Sequence, residues 1–502
     1  MNKAARILFK KGRKFEAKGN LGDAITAYEA ALKQSPQNPD ILFALGNVAK
    51  KMDALPIAEK MFRAAYGLVP DSIEAATNLA LVIAAQGRND EAIELYQAIL
   101  ITNPEHVGTW VNIGLAVATT GDLDNAEVFY QEALRLRPNS MTALTNYSEL
   151  LAQKGDFVEA LKLNEKALKR DKRNAVIRYN RGELLLALGK LKEGWDELDF
   201  GAQNRKDRQT IYHHKLKRWN GEDLAGKKIL LSCEQGIADQ VRYLSCVSDV
   251  IEMADDVVIE VEPRLVEILA RTYPKATVRT YDNKKITAIN HVHYDWPVDE
   301  LDFASPMLNL YRFLKPDIES FDQKSPTLVT DNELDAKWKK KTGDVSDGLK
   351  VGICWRSGKK SLARSQLYTD LLNDWGPVLS QAGVTFFNLM YVDCTDELAA
   401  VKEKFGAKII TYEDLDYKND LENVFSLTKQ MDLVISVNSA PASFASVLGI
   451  ATFVPSTNIS WDMLGTDKMA MVPSMKPIIQ KERGDWAAVM KEIAEILKSY
   501  VP

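Results

Sequence analysis

Residues Gly121–Lys154 read "GDLDNAEVFYQEALRLRPNSMTALTNYSELLAQK". Moving the frame by 34 residues in either direction returns the same residue types at the same places. Pro36, Pro70, Pro104 and Pro138 share one column, and Ala24, Ala58, Ala92, Ala126 and Ala160 a second. Tyr28, Phe62, Tyr96 and Tyr130 form a third. Gly12, Gly46, Gly114 and Gly182 form a fourth, and Gly19, Gly87, Gly121, Gly155 and Gly189 a fifth. Small residues let two helices approach closely, the aromatic fills the gap to the next unit, and proline closes each unit because it cannot continue a helix interior.

Five columns in register resemble the tetratricopeptide repeat (TPR), a helix–turn–helix unit of about 34 residues. Such units cannot bury their apolar faces alone, so they stack into a superhelix with a concave groove. The fifth unit has Lys172 in the proline column, and the sixth, "RYNRGELLLALGKLKEGWDELDF", fades after Trp195 as a boundary repeat should. A further column, Asn78, Asn112, Asn146 and Asn180, occupies the sixth position of each first helix. A carboxamide offers a donor and an acceptor together and can pair with an extended peptide whatever its side chains. A similar asparagine ladder grips the acceptor polypeptide in O-GlcNAc transferases. The other reading is structural helix–helix bonding.

After the connector "GAQNRKDRQTIYHHKLKRWNGEDLAGKK" the periodicity changes. Apolar runs of four to six residues, among them "ILLS", "DVVIEV", "VGICW", "TFFNLM", "LVISV" and "ATFVP", alternate with helical stretches. Short buried strands separated by helices indicate parallel α/β architecture, whose ligands bind at the carboxyl ends of strands. The expected fold is multidomain: an all-α TPR superhelix over residues 1–205, then Rossmann-like halves at 206–345 and 346–502.

At 502 residues, several domains are expected; a net charge of −5 and a pI near 5.8 give no electrostatic footprint for nucleic acid. No long apolar run or signal-peptide pattern appears, which makes a cytoplasmic chain without a membrane span the expectation. The cysteines, Cys233, Cys246, Cys354 and Cys394, include no C-x-x-C pair. His291 and His293 are spaced for shared ligation on one face of a strand, but such a pair is more often plain structure, and no metal is assigned. Neither G-x-G-x-x-G after a strand nor G-x-x-x-x-G-K-[ST] occurs, which argues against dinucleotide oxidoreductases and P-loop hydrolases.

From Trp219 to about Trp486 the chain resembles bacterial TPR glycosyltransferases, relatives of the heptosyltransferases (glycosyltransferase family 9-like) with a GT-B fold. The segments are "LAGKKILLSCEQGIADQVRYL", "VGICWRSG", "DWGPVLSQAGVTFFNLMYVDCTDELA", "DLDYKNDLENVFSLTKQMDLVISVNSAPASFASVLG" and "WDMLGTDKMAMVPSMKPI". The resemblance implies transfer of a sugar from a nucleotide-sugar donor to a hydroxyl, with no cofactor and no metal. In this family the loop usually reads E-Q-G-x-G-D, and the related heptosyltransferases use its aspartate, which maps to Asp239 after Gln235 and Gly236, as general base. A carboxylate within reach of a hydroxyl proton contributes about 10²–10⁴-fold. Asp239 equally suits a helix cap. Ala238 stands where the family has glycine and would be strained if φ there were positive.

The second half is expected to hold the donor. "VGICW" reads as a strand ending at Trp355 and "RSGKK" as the loop after it, where Arg356 and Lys359 supply positive charge and Ser357 and Gly358 allow close backbone approach to a diphosphate. An ordinary solvated basic loop is the alternative. In "NSAPASFAS", Asn438 or Ser439 can cap a helix with Pro441 suited to its first turn, and the free amides there are expected to meet phosphate, with Asn438, Ser439 and Ala440 the donor-binding candidates. Many relatives carry D-T-x-x-x-H here, and Asn438, Ser439 and Ser443 replace the three residues. Tyr391 and Asp393 match a family segment near the base or ribose. "DLD" at 414–416 is a coincidence with the metal-binding D-x-D of a different fold. Related TPR glycosyltransferases include enzymes that modify flagellin, which makes a flagellin-like Ser/Thr acceptor in the TPR groove the leading expectation; a lipid-linked or polysaccharide acceptor stays open, because the heptosyltransferase relatives act on glycolipids. The alternative is a TPR scaffold with a degenerate, inactive transferase region.

Overall fold

The computed structural model describes residues 1–205, 210–233, 236–286, 289–321, 327–346, 348–358 and 367–501. The helical repeats comprise α1 (Lys3–Ala17), α2 (Leu21–Gln34), α3 (Pro39–Lys51), α4 (Leu55–Leu68), α5 (Ile73–Ala85), α6 (Asn89–Thr102), α7 (Val107–Thr120), α8 (Leu123–Leu136) and α9 (Met141–Gln153). They continue as α10 (Phe157–Leu168), α11 (Ala175–Ala187) and α12 (Leu191–Asn204). The chain divides into two compact units, one holding residues 1–154 and the other beginning at Gly155.

Each sequence column has a structural cause. A Cβ on Gly12 would lie 2.5 Å from the Tyr28 ring, and one on Gly46 2.7 Å from the Phe62 ring. The glycine column is therefore the space that the aromatic column fills. The turn between the helices of a unit needs a left-handed residue, with φ of 75° at Gly19 and 84° at Gly87. Asp53 stands in that column in the second unit and takes φ 60° itself, a conformation that short polar side chains tolerate.

The second unit carries α10–α12 and the strands β1 (Thr210–Tyr212), β2 (Lys217–Arg218), β3 (Lys228–Ser232), β4 (Asp256–Val261), β5 (Thr277–Thr280), β6 (Asp282–Ile286), β7 (Ile289–His293) and β8 (Phe303–Pro306). They are followed by β9 (Leu349–Cys354), β10 (Val384–Asn388), β11 (Ile409–Ile410), β12 (Leu433–Ser436), β13 (Ala451–Ser456) and β14 (Met475–Ile479). Among the helices between them are α13 (Ile237–Arg242), α14 (Val247–Met253), α15 (Val266–Thr272), α16 (Met307–Leu314) and α17 (Asn332–Gly343). Later come α18 (Gly376–Leu379), α19 (Thr395–Phe405), α20 (Leu421–Thr428), α21 (Ala440–Val447) and α22 (Trp486–Lys498).

One sheet of five strands runs β2-β8-β3-β4-β5 and another of six runs β11-β10-β9-β12-β13-β14, each parallel throughout. A small sheet, β1-β7-β6, stands apart. Strands such as β4 and β12 are buried along nearly their whole length because helices cover both faces. Counted within its own half, the six-stranded sheet has the order 3-2-1-4-5-6, that of a doubly wound nucleotide-binding fold. Trp195 of α12 stacks on Tyr311 of α16 at 5.7 Å and meets Trp461 edge-on at 6.3 Å. The last repeat helix is thus part of the α/β core.

Candidate functional site at the carboxyl ends of two parallel sheets

In the six-stranded sheet, β9 and β12 are neighbours. From them the chain proceeds outward in opposite directions, so the crevice beyond Cys354 and Ser436 is the topological switch point where such folds take ligands. Residues 355–358 and 437–440 follow these two ends directly, and the sequence-predicted donor residues therefore converge there. Their individual roles differ from expectation. Trp355 is 1% exposed, with its indole N–H donating to Glu397 at 3.2 Å. Its side chain belongs to the core. Arg356 is held by the Glu397 carboxylate at 2.5–3.2 Å and donates to the Asp393 carbonyl at 3.0 Å. Its charge is paired within the fold, so of the two cations expected to serve a diphosphate this one is already engaged.

The Gly358 N–H donates to the Tyr391 hydroxyl at 3.1 Å, and a Cβ on Gly358 would lie 2.8 Å from Val392. That approach fixes the loop against the segment after β10. Ser357 is buried in the same turn. Lys359 lies outside the described residues. Asp393 accepts from the Thr395 amide and hydroxyl at 3.1 and 2.8 Å and so holds the start of α19.

At the end of β12, Ser439 occupies the N-cap position of α21 in extended conformation, and its side chain makes no cap bond. Its hydroxyl instead meets Ser436 at 3.2 Å and the Cys354 thiol at 3.7 Å. Ala440 opens the helix, and no side chain caps its first turn. The positive end of the helix dipole thus faces the crevice. Burial pushes the Cys354 thiol up to about 11, which keeps it protonated and unreactive at neutral pH. Ser443, in the place of the family's histidine, is fully buried and bonds back to the Ser439 carbonyl at 3.4 Å.

The five-stranded sheet brings a second carboxyl edge to the same region. After β3 comes Gly236, the N-cap of α13 with φ −63°. Gln235 lies outside the described residues. Ala238 sits inside α13 and is not among the residues with positive φ, so the expected strain at the glycine-to-alanine position is absent. Asp239 is in the first turn but makes no cap bond. Its Oδ1 accepts a charge-assisted bond from Arg242, one turn along, while Oδ2 makes no hydrogen bond among the described residues. Arg242 also reaches Asp462 at 3.2 Å and the Asn438 side-chain oxygen at 3.4 Å. Burial alone would lower the Arg242 pKa, but Asp462 and Asp239 outweigh it and hold the guanidinium above its ordinary value.

A single arginine thus ties the Asp239 carboxylate to the loop at the end of β12. Sequence reasoning missed both Arg242 and Asp462. The Asp-x-x-Arg spacing on one helix face was a visible signal for the first, whereas nothing in the sequence pairs the second with it. Beside them a cleft lined by Ser232, Cys233, Gln240, Tyr243, Pro306 and Met307 opens between the ends of β3 and β8.

Asp414 pairs with Lys341 at 2.7 Å, and Asp416 accepts from the Lys418 and Asn419 amides at 3.0 Å in a local turn. The asparagine column lies on α5, α7, α9 and α11, each amide half-buried. Asn78 is engaged, donating to the Glu74 carbonyl at 3.0 Å and accepting from Lys50 at 2.8 Å. The side-chain amides of Asn112, Asn146 and Asn180 make no hydrogen bond among the described residues.

Profiles of the TPR repeat match residues 12–53, and those of the tetratricopeptide repeat match 71–139 and 111–175. Protein FlbA of Caulobacter vibrioides is 32% identical over 497 residues, spanning 97% of this chain and 83% of that protein. The chain belongs to the FlbA family. The FlbA match therefore runs through the repeats and both large sheets. Human tetratricopeptide repeat protein 7A is 32% identical over 94 residues, 19% of this chain and 11% of that protein. Among solved structures, a thermophilic TPR protein from Thermus thermophilus covers 36% of this chain and 100% of its own, at 24% identity and TM-score 0.33. No described helix is long and apolar enough to cross a membrane.

Proposed function

We propose that this chain is a cytoplasmic glycosyltransferase of GT-B type. It moves a sugar from a nucleotide-sugar donor to a Ser or Thr hydroxyl of a protein acceptor recruited by its repeats. The observation that carries the reading is the Asp239–Arg242–Asn438 connection, which sets a carboxylate from one parallel sheet beside the switch-point crevice of another. Oδ2 of Asp239 takes the proton of the acceptor hydroxyl as its oxygen attacks the anomeric carbon. The bond from that carbon to the donor phosphate breaks, and the uncapped first turn of α21 meets the negative charge left on the nucleotide. The resemblance to TPR glycosyltransferases supports flagellin as the acceptor to try first. TPR arrays in general serve protein partners.

A second reading, a TPR scaffold with an inactive transferase region, is favoured by the Arg356–Glu397 pair, which engages one of the two expected phosphate-binding cations. Titration with a panel of nucleotide sugars, followed by mass spectrometry of co-expressed flagellin, separates the two. An enzyme binds a donor and adds the mass of a sugar. Asp239→Asn is expected to retain donor affinity and reduce transfer by about a hundredfold or more. Absence of donor affinity across the panel favours the scaffold, and equal transfer by variant and wild type removes Asp239 from the mechanism.

A further inference from the structure

The small sheet β1-β7-β6 stands outside everything described so far, and its chemistry is concentrated in one place. Strands β1 and β7 pair in parallel with Ile211 opposite His291 and Tyr212 opposite Val292. The next residue, His213, continues the ladder by donating its backbone N–H to the Val292 carbonyl at 3.0 Å. Because side chains alternate along a strand, His291 and His293 share one face of β7. The parallel register places His213 on that same face.

The rings gather accordingly. Nε2 of His213 lies 3.0 Å from Nδ1 of His291, and the His213 ring stacks on that of His293 with centroids 4.1 Å apart. One ligand nitrogen from each of the three lies within 4.8 Å of the others. His213 is exposed, while His291 and His293 are half-buried. Two histidines at alternate positions of a strand are common. A third delivered by a separate segment, with all three nitrogens converging, is a donor set.

We propose that His213, His291 and His293 bind one borderline divalent cation of the zinc class. Zinc–imidazole bonds of about 2.0–2.1 Å at tetrahedral angles set ligand nitrogens about 3.3 Å apart. The His213–His291 pair already lies close to that spacing, and the third joins when the His293 ring turns out of its stack on His213. Three neutral imidazoles without a carboxylate or thiolate suit Zn²⁺, Co²⁺, Ni²⁺ or Cu²⁺ and disfavour Mg²⁺ and Ca²⁺. With His213 exposed, the fourth position is open to water. The bound ion cross-links β1, the strand that follows α12 in the chain, to β7. The site shares no residue with the proposed transfer chemistry, so it stands or falls separately from it.

The test uses the full chain freed of metal with a chelator and then titrated with ZnCl₂ by calorimetry. In parallel, CoCl₂ is added and followed by visible absorption. One saturable site at micromolar metal is expected, together with the intense visible bands of tetrahedral, nitrogen-ligated Co²⁺. His213→Gln and His291→Gln are each expected to weaken Zn²⁺ binding at least tenfold while far-UV circular dichroism stays unchanged. Lack of saturable Zn²⁺ binding, or an octahedral aquo-type Co²⁺ spectrum in the wild-type chain, overturns the proposal without recourse to any variant. Wild-type affinity in both variants overturns it as well.

Discussion

Glu260 is the residue whose position most departs from its chemistry. It sits near the end of β4, opposite Ser232 of β3, and is 1% exposed. One carboxylate oxygen accepts from the Tyr294 hydroxyl at 3.3 Å, and the other makes no hydrogen bond among the described residues. Burial, opposed only in part by that bond, pushes its pKa from 4.5 to about 7. A raised folded-state value means that the fold binds this proton more tightly than the unfolded chain does. The associated stability is fully present below the unfolded value and is lost as pH rises through about 7. The difference corresponds to roughly 3 kcal/mol. Glu260→Gln keeps the acceptor for Tyr294 and cannot ionise. Its urea midpoint is expected to lose this contribution to the fall between about pH 5 and pH 8 and to exceed that of the wild type at the upper end. Parallel wild-type and variant profiles would show that the carboxyl titrates normally. "DVVIEV" reads as a buried strand in the sequence, but its glutamate cannot be recognised there as buried. A parallel strand covered on both faces has no polar side on which the residue could be placed. The same difficulty hid the fate of Arg356, whose partner Glu397 lies 41 positions away.

Helix pairs show where column reading succeeds and where it stops. The glycine and aromatic columns were legible because each repeat solves the same packing problem with the same residues. What the columns did not disclose is how closely two helices approach when one residue of the pair changes. At Gly114 a Cβ would meet the Tyr130 ring edge at 2.9 Å. In the sixth unit Leu198 stands in the aromatic column, and the helices close further. A Cβ on Gly182 would lie 2.6 Å from the Leu198 amide nitrogen and 2.9 Å from the Gly194 carbonyl oxygen. A ring can tilt away, whereas the backbone moves only if a whole helix moves. Gly114→Ala is therefore expected to destabilise by about 1–3 kcal/mol, the usual range for overpacking, and Gly182→Ala by more. Denaturant midpoints test the order, each read in the transition of its own compact unit. A smaller effect at Gly182 than at Gly114 would mean that α11 and α12 separate easily.

Across the whole molecule, the sequence announced helical repeats followed by parallel α/β structure, because periods of 34 and short apolar runs are local signals. The strand order 3-2-1-4-5-6 and the neighbouring positions of β9 and β12 are long-range facts that no local pattern contains. For that reason the carboxyl-end loops were found while the Arg242–Asp462 contact was not. The free amides and the crevice lie in different compact units: Asn112 and Asn146 in the first, and the loops after β9 and β12 in the second. If the repeats recruit a polypeptide and the crevice holds the donor, the two functions respond to mutation independently. Asn112→Ala combined with Asn146→Ala is expected to raise the acceptor KM several-fold and to leave donor affinity unchanged. Both amides are half-buried with unused donors and acceptors, and each hydrogen bond to an extended chain contributes about 1 kcal/mol. Asn78→Ala serves as the internal comparison. Its amide is already occupied by Lys50 and the Glu74 carbonyl, so its removal should change the acceptor KM less than the pair does. An acceptor KM untouched by the double substitution would assign the column to helix packing. A donor affinity that falls with it would show that the first unit supports the second and does not serve the acceptor.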